Sequence, residues 1–486
     1  MLPHDLEAVI GLEVHVQLRT RTKAFCACPV VFAAAPNSAV CPVCLGYPGA
    51  LPVPNREMAL LGARLAIATG CDVHARSAFA RKSYFYPDLP KGCQITQLDR
   101  PLATGGRVDV RAADGSTRSV RLRRIHLEED AGKSIHDAEG DDVPPGVTLV
   151  DLNRAGTPLA EIVTEPDLRA PAEASDFLSR LRRLVRWIGV SDGNMEAGSL
   201  RCDANVSVRP AGTETLGTKV EIKNLNSITH VRMALEHEVA RQAGVLRAGG
   251  AVAAESRLFD PASGTTRPMR GKEETEDYRY FPDPDLGPLV LDEAWLEEVA
   301  ASLPEPPEAR EARFVAELGL SPADAATLCA TRPLADAFEE AVALLPSNAR
   351  GVAAWFLGDL LARMGDSDRQ VGRLPVPPGE VARLVARIDD GTISGRIARE
   401  LFALLCAGAR DVDGLIRERG LVQVTDETPI RAAVDAVLAA SEAQAAAYRG
   451  GKSSTFGWFV GQVMKATEGK ASPAVVNRLL RERLDA

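Results

Sequence analysis

Four short segments of the chain share one alternation, and it restricts the fold more than any other feature of the sequence. In "AVIGLEVHVQLRT" (8–20), Leu12, Val14, Val16 and Leu18 fall on one side of an extended backbone, and Glu13, His15 and Gln17 on the other. "RIHLEED" (124–130) sets Ile125 and Leu127 against His126 and Glu128. "SLRCDANVSV" (199–208) sets Leu200, Cys202, Ala204, Val206 and Val208 against Arg201, Asp203, Asn205 and Ser207, and "TKVEIKN" (218–224) sets Val220 and Ile222 against Lys219, Glu221 and Lys223. A period of two with one apolar side marks antiparallel strands covered on a single face. The cover is predicted in "FLSRLRRLVRWI", where Phe177, Leu181, Leu184, Val185 and Ile188 recur at helical spacing. Whereas a purely solvated face often carries Thr, Gln or Ser, the polar sides here hold charge of both signs plus His. Such a mixture suits a cleft in which basic groups take phosphate oxygens and carboxylates take a divalent cation. A solvated outer face is the competing reading, and pattern alone does not separate the two.

The chain has 486 residues, 45% hydrophobic and 25% charged, the balance of a globular protein. That length accommodates about three domains. No run of about 18 apolar residues occurs, so no transmembrane helix is expected. The start "MLPHDLEAVI" lacks the basic and apolar regions of a secretory signal, which points to the cytoplasm and reduced thiols. A net charge of −9 excludes a whole-surface nucleic-acid binder and leaves only a local patch. Alternating segments and Gly/Pro turns continue to about residue 297, giving an α+β domain over 1–297. "ASLPEPPEARE" (301–311) is a Pro-rich hinge, after which Ala/Leu/Arg-rich stretches such as "GVAAWFLGDLLARM" and "EVARLVARI" read as helices. Two all-helical C-terminal domains are expected, over 298–410 and 411–486.

Cys26, Cys28, Cys41 and Cys44 form a C-x-C and a C-P-V-C joined by a twelve-residue loop. Two close pairs at this spacing can place four thiolates around one Zn²⁺, and four sulfur ligands leave no open position, so the expected role is to staple a loop. Cys71, Cys93, Cys202, Cys329 and Cys406 are scattered and read as small core hydrophobes. "RGGKSST" (449–455) fails as a phosphate-binding loop because the pattern requires Gly where the chain has Ala446. "KSYFYPDLPKGCQITQ" (82–97) reads as a Pro-bounded turn buried against the sheet by Tyr84, Phe85 and Tyr86. Packing explains neither Lys91 nor Gln94.

Taken together, "IGLEVHVQL", "CPVCLGYPGALPV", "YFYPDLPKGCQITQ", "IHLEEDAGK", "NRAGTPLAEIVTEPD", "GVSDGNMEAGSLRCDANVSVRP", "GTKVEIKNLNS" and "DYRYFPDPDL" resemble the B-subunit family of the bacterial aspartyl/glutamyl-tRNA amidotransferases. The likeness runs from residue 8 to about 290 and resumes in "FVGQVMKATEGKASPAVVNRLL". The resemblance implies an antiparallel-sheet cradle domain similar to glutamine synthetase and the guanidino kinases. It also implies a heterotrimer with an amidase (glutaminase) subunit and a small third subunit. Ammonia from the amidase would reach this chain. Here ATP would phosphorylate the side-chain carboxylate of Glu on tRNA(Gln) or Asp on tRNA(Asn), and ammonia would displace the phosphate. By the same resemblance the Mg²⁺ ligands are Glu13, His15 and Glu128, with Glu161 and Glu221 as further members. Arg154 and Arg201 would contact phosphate, and Lys91 would stand at the ammonia channel. The plainer roles are a turn cap for Arg154 and capping or solvation of the loop after the strand for Glu129 and Asp130. The chain departs from the family pattern at Cys93 and Leu152, where Tyr is common, which bears on the channel or pocket wall.

Residues 449–486 carry seven basic and three acidic side chains, a balance of +4. Phe456, Phe459, Val460, Val463 and Met464, then Leu479, Leu480 and Leu484, form the core stripe of a small helical domain. Lys452, Lys465, Lys470 and Arg478 are left as candidate contacts to tRNA phosphates. An ATP-dependent ligase of a free amino acid and a noncatalytic, zinc-stapled tRNA-binding protein are the competing classes. The basic tail speaks against the first and the acid-rich sheet face against the second.

Overall fold

The first alternating segment forms strand β1 (Leu6–Gln17), with Leu12, Val14 and Val16 almost fully buried and Glu13, His15 and Gln17 only partly so. The other three form β2 (Thr117–Glu129), β4 (Leu200–Pro210) and β5 (Val220–Leu225), as their alternation predicts. Strand β3 (Pro158–Thr164) is not among the expected four: Leu159 and Val163 share its polar side with Glu161, which masks the period of two. The structure, a computed structural model, describes residues 5–112, 114–135, 146–269, 278–365, 368, 372–422, 426–467 and 469–485.

These strands lie in a ten-stranded sheet of order Thr265–Pro268, Glu255–Asp260, β5, β4, β1, β3, β2, Ala103–Thr104, Asp72–Val73, with Arg107–Arg111 paired to β2. Neighbours are antiparallel except β5 and Glu255–Asp260, which run parallel. A parallel pair needs a long crossover, and helix α3 (Ile228–Arg247) provides it. Ser227 caps α3 by accepting from the His230 N–H.

Helix α1 (Arg56–Ala68) is capped by the Asn55 side chain and packs on β2, while α3 packs on β4 and β5. The predicted amphipathic helix is α2 (Pro171–Trp187), with Phe177, Leu181 and Val185 buried, and it lies on α3 and the strand Arg107–Arg111. Each fully buried Leu or Phe here contributes about 1.5–3 kcal/mol, so covering the apolar side fixes which side stays open. The mixed-charge side is left for chemistry.

The chain divides into two compact units, Met1–Pro306 and Pro307–Ala486. Among the described residues, the regular elements of the second are all helices. "GVAAWFLGDLLARM" is a helix (Ala349–Trp355) that loosens into a π-turn (Phe356–Leu360) and a 3-10 turn (Leu361–Arg363). Near the C-terminus, Phe459, Val463, Leu479, Leu480 and Leu484 share a core with Ile430 and Val434, as the stripe predicts. The residues before "RGGKSST" form the helix Glu442–Arg449, so no strand leads into that loop.

One expectation fails. Phe85 is 87% exposed and Tyr86 48%, so these rings do not bury the 82–97 turn. The turn is held by polar contacts instead: Tyr84 OH meets Gln94 Oε1 at 3.3 Å, and the Gly92 N–H donates to Leu89 O at 3.0 Å.

Candidate active site and cysteine cluster

Register across four adjacent strands builds the centre of the site. His15 of β1 stands opposite Glu161 of β3 and Arg201 of β4, and Glu161 stands opposite His126 of β2, with Glu128 two residues farther along β2. His15 Nε2 is 3.2 Å from Glu161 Oε2 and 3.5 Å from Glu128 Oε1. His126 Nε2 lies 3.2 Å from the same Glu161 oxygen, and Thr96 Oγ1 donates to Glu128 Oε2 at 3.2 Å. The ligand atoms of His15, Glu128 and Glu161 all fall within 4.8 Å of one another.

Burial, reinforced by the Glu161 charge, pushes the Glu128 carboxyl up. Burial also opposes ionisation of Glu161, but hydrogen bonds from His126 and His15 outweigh it and hold Glu161 well below the usual carboxylate range. Burial pulls the His15 imidazole down, yet the Glu161 hydrogen bond and the Glu161 and Glu128 charges win, raising it to about 9. The cluster is therefore a pair of carboxylates that wants positive charge, supplied here by a proton on His15. Two carboxylates and an imidazole nitrogen are a donor set for a divalent cation.

Two other expected ligands stand apart from this triad. Glu13 Oε1 accepts from Asn205 Nδ2 at 2.9 Å. Glu221 lies in the row of Asn205 and Gly11, and Lys223 Nζ bridges it (2.8 Å) to Asp203 (3.1 Å). Gly11, Glu13, Arg123, Thr164, Asn205 and Lys219 line an opening of about 230 Å³ on this half of the sheet. One polar face thus carries two neighbouring clusters.

The loop after β2 closes the first cluster. Arg201 Nη2 is 2.9 Å from Asp130 Oδ2, and Arg154 Nε is 3.6 Å from the same oxygen. Arg154 also donates to Ala131 O (3.1 Å) and Gly132 O (2.6 Å), so it does cap the turn. Glu129 and Asp130, expected to cap or solvate, are buried at 1% and 5% exposure. Lys91 Nζ is ion-paired with Glu129 Oε1, the Ile95 N–H donates to that oxygen at 3.0 Å, and Gln94 Nε2 donates to Glu129 O at 2.7 Å. The two residues of the turn that packing left unexplained therefore both serve Glu129.

Tyr84, Tyr278 and Tyr280 stack edge to face beside these acids, and Lys82 Nζ is 4.5 Å from the Tyr278 ring centroid. Burial and the Glu161 and Glu128 charges push Tyr280 up to about 12. Alternation places His126 on the polar face without giving it a role, although its spacing from Glu128 is the available signal. Tyr280 gives no such signal.

The four cysteine sulfurs also lie within 4.8 Å of one another. None of the nine cysteines is in a disulfide. Cys26 and Cys44 compete for one proton: their hydrogen bond pushes Cys26 up and draws Cys44 down to about 4, with Lys23 assisting at Cys44. Four sulfurs this close, sharing protons among themselves, form a donor set for a thiophilic cation. Of the scattered cysteines, Cys71, Cys202 and Cys329 are buried, whereas Cys93 and Cys406 are half-buried. Gly46 of the cysteine loop sits at φ +70, and a Cβ there would fall 2.8 Å from Lys91 Cα. Lys91 Nζ is 5.8 Å from the Phe25 ring centroid, so this loop forms the bed of the Lys91–Glu129 pair.

In the tail, Lys452 and Lys465 are exposed and Lys470 half-buried. Arg478 is engaged by Glu482 (2.7 Å) and by Glu427.

Residues 8–297 match the GatB/GatE catalytic domain, and residues 336–484 match the GatB domain. The chain is 51% identical to the B subunit of the aspartyl/glutamyl-tRNA(Asn/Gln) amidotransferase of Syntrophotalea carbinolica over 478 residues, 98% of either chain. It is 50% identical to the same protein of Geobacter sulfurreducens over 481 residues (99% of each) and 48% identical to that of Persephonella marina over 480 residues (99% and 100%). With both its units matched and its relatives covered from end to end, the chain belongs to the B-subunit family of the aspartyl/glutamyl-tRNA(Asn/Gln) amidotransferases.

Proposed function

We propose that this chain converts Glu-tRNA(Gln), Asp-tRNA(Asn) or both to the cognate amidated aminoacyl-tRNA in the cytoplasm, at the expense of ATP. The observation that carries the proposal is the His15, Glu128 and Glu161 triad on the open face of the sheet, in a chain of this family. The cradle, over 1–297, is of the glutamine synthetase and guanidino kinase type. The helical segments 298–410 and 411–486 form two further domains, of which the last grips tRNA through Lys452, Lys465, Lys470 and Arg478.

The substrate carboxylate attacks the γ-phosphorus of ATP, ADP leaves, and the acyl phosphate is then displaced by ammonia, yielding the amide and inorganic phosphate. A carboxylate is a poor electrophile, which is why it is phosphorylated first. His15, Glu128 and Glu161 would hold Mg²⁺, with Glu13 and Glu221 around a second position, and the ion would supply charge neutralisation for the triphosphate and for transfer. Manganese also suits a site containing an imidazole. Arg201 and Arg154, held at the rim by Asp130, bind phosphate oxygens. Lys91 and Glu129 line the ammonia entrance, with Cys93 and Leu152 shaping its wall. The ammonia comes from an amidase partner, with a small third subunit completing the heterotrimer. Cys26, Cys28, Cys41 and Cys44 hold a structural Zn²⁺.

The test reconstitutes the chain with the amidase and small subunits, Mg²⁺–ATP, glutamine and Glu-tRNA(Gln). Glu128→Gln should lower amide formation by about a hundredfold or more while leaving the fold intact. Wild-type turnover in this variant refutes the assignment.

A further inference from the structure

Among the described residues, Lys23 is the only lysine withdrawn completely from solvent. Its ammonium meets two acceptors, Leu152 O at 3.3 Å and Cys44 Sγ at 3.6 Å, and makes no ion pair with a carboxylate among the described residues. An ammonium stripped of water requires a compensating negative charge. Of the groups that can carry one, Cys44 is the one the ammonium contacts, at 3.6 Å. Four thiolates around a dication leave two negative charges, which likewise call for a cation nearby.

The backbone holds Lys23 in place for this. Its N–H donates to Cys28 O at 2.9 Å, and its carbonyl accepts from Asn55 Nδ2 at 3.1 Å, the same Asn55 that caps α1. Lys23 therefore touches the first cysteine pair through its main chain and the second through its side chain. Its stem runs past Gly156, where a Cβ would meet Lys23 Cδ at 3.4 Å, Glu129 Oε2 at 3.6 Å and Cys44 Cβ at 3.7 Å; Glu129 is ion-paired with Lys91 through its other oxygen.

We propose that Lys23 is the built-in counter-cation of the cysteine cluster, a positioning residue that stabilises the zinc-loaded tetrathiolate by donating to Cys44 Sγ. This rests on the zinc reading above and adds a residue to it. Groups that donate to metal ligands from behind typically change metal affinity by about 10–100-fold when removed.

The experiment uses the full chain with its partner subunits. Zinc content is measured, then the rate of zinc loss to a coloured chelator and the thiolate-to-cobalt charge-transfer band after Co²⁺ exchange. Lys23→Met, near in shape but uncharged, should lose zinc about 10–100-fold more readily, and Lys23→Arg should restore most of the retention. Lys23→Gln, which fills the space and can still donate, serves if the Met variant does not fold, and should fall between Met and Arg. Equal retention in wild type and both neutral variants overturns the role of Lys23 while the zinc reading stands. Wild-type protein that binds neither zinc nor cobalt overturns both.

Discussion

The cysteine cluster and the carboxylate–imidazole cluster lie in one unit of the chain, and in each the ligand atoms come within 4.8 Å, but they are assembled in opposite ways. The four cysteines come from a single stretch, residues 26–44, and meet because a short loop folds on itself. His15, His126, Glu128 and Glu161 come from three strands and meet only because β1, β2 and β3 pair in one register. A local cluster fails locally. A cluster made by register fails with the sheet.

The largest effect that sharpens this contrast is expected from Glu161→Ala. It removes the acceptor of both imidazoles and strands His126 in the interior, so amide formation should fall by more than about a hundredfold and stability by about 1–3 kcal/mol. Steady-state turnover and denaturant unfolding check the two losses; retention of either would mean that the cluster is not held together by Glu161. Next is Leu127→Ala, on the opposite side of β2 and 1% exposed, which should cost about 2–5 kcal/mol through the cavity it leaves. Its turnover per folded molecule should stay close to wild type; a larger loss would show that the register itself has shifted.

Cys41→Ser should abolish zinc binding and lower the melting temperature, yet leave measurable amide formation, because the loop is the bed of Lys91 and not part of the triad. Complete loss of activity at normal stability would place the cysteines in the chemistry and end the contrast. The smallest effect is expected from Tyr280→Phe. The Tyr280 hydroxyl is raised from 10.0 to about 12 in the folded chain, so it is neutral in both states below about pH 10 and is ionised more readily once unfolded. It therefore contributes no pH dependence below 10 and a loss of stability as pH climbs from 10 towards 12. The Phe variant should match wild type in denaturant melts at neutral pH and be flatter in that alkaline window.

The same contrast explains how much is legible in the sequence. The cysteines are readable from spacing, and β1, β2, β4 and β5 from alternation. Strand β3 is not, because Leu159 and Val163 break the polar row that holds Glu161; that ligand comes from family motifs. Nor can alternation show that Glu13 turns to Asn205 and Glu221 to Lys223 rather than to His15, since that follows from which residues face each other across the sheet. Aromatic and proline content suggests burial of Phe85 and Tyr86, whereas hydrogen bonds and an ion pair hold the turn and leave both rings in solvent.

Gly46 carries a consequence for how such chains diverge. With φ at +70 and the Lys91 backbone where a side chain would be, the residue is constrained twice over, by conformation and by contact. The cysteine loop and the Lys91 turn thus cannot drift independently: a relative that replaces Gly46 must also reshape or shift the Lys91 turn. Across many relatives the two segments should change together, and a designer grafting one of them would have to carry the other along.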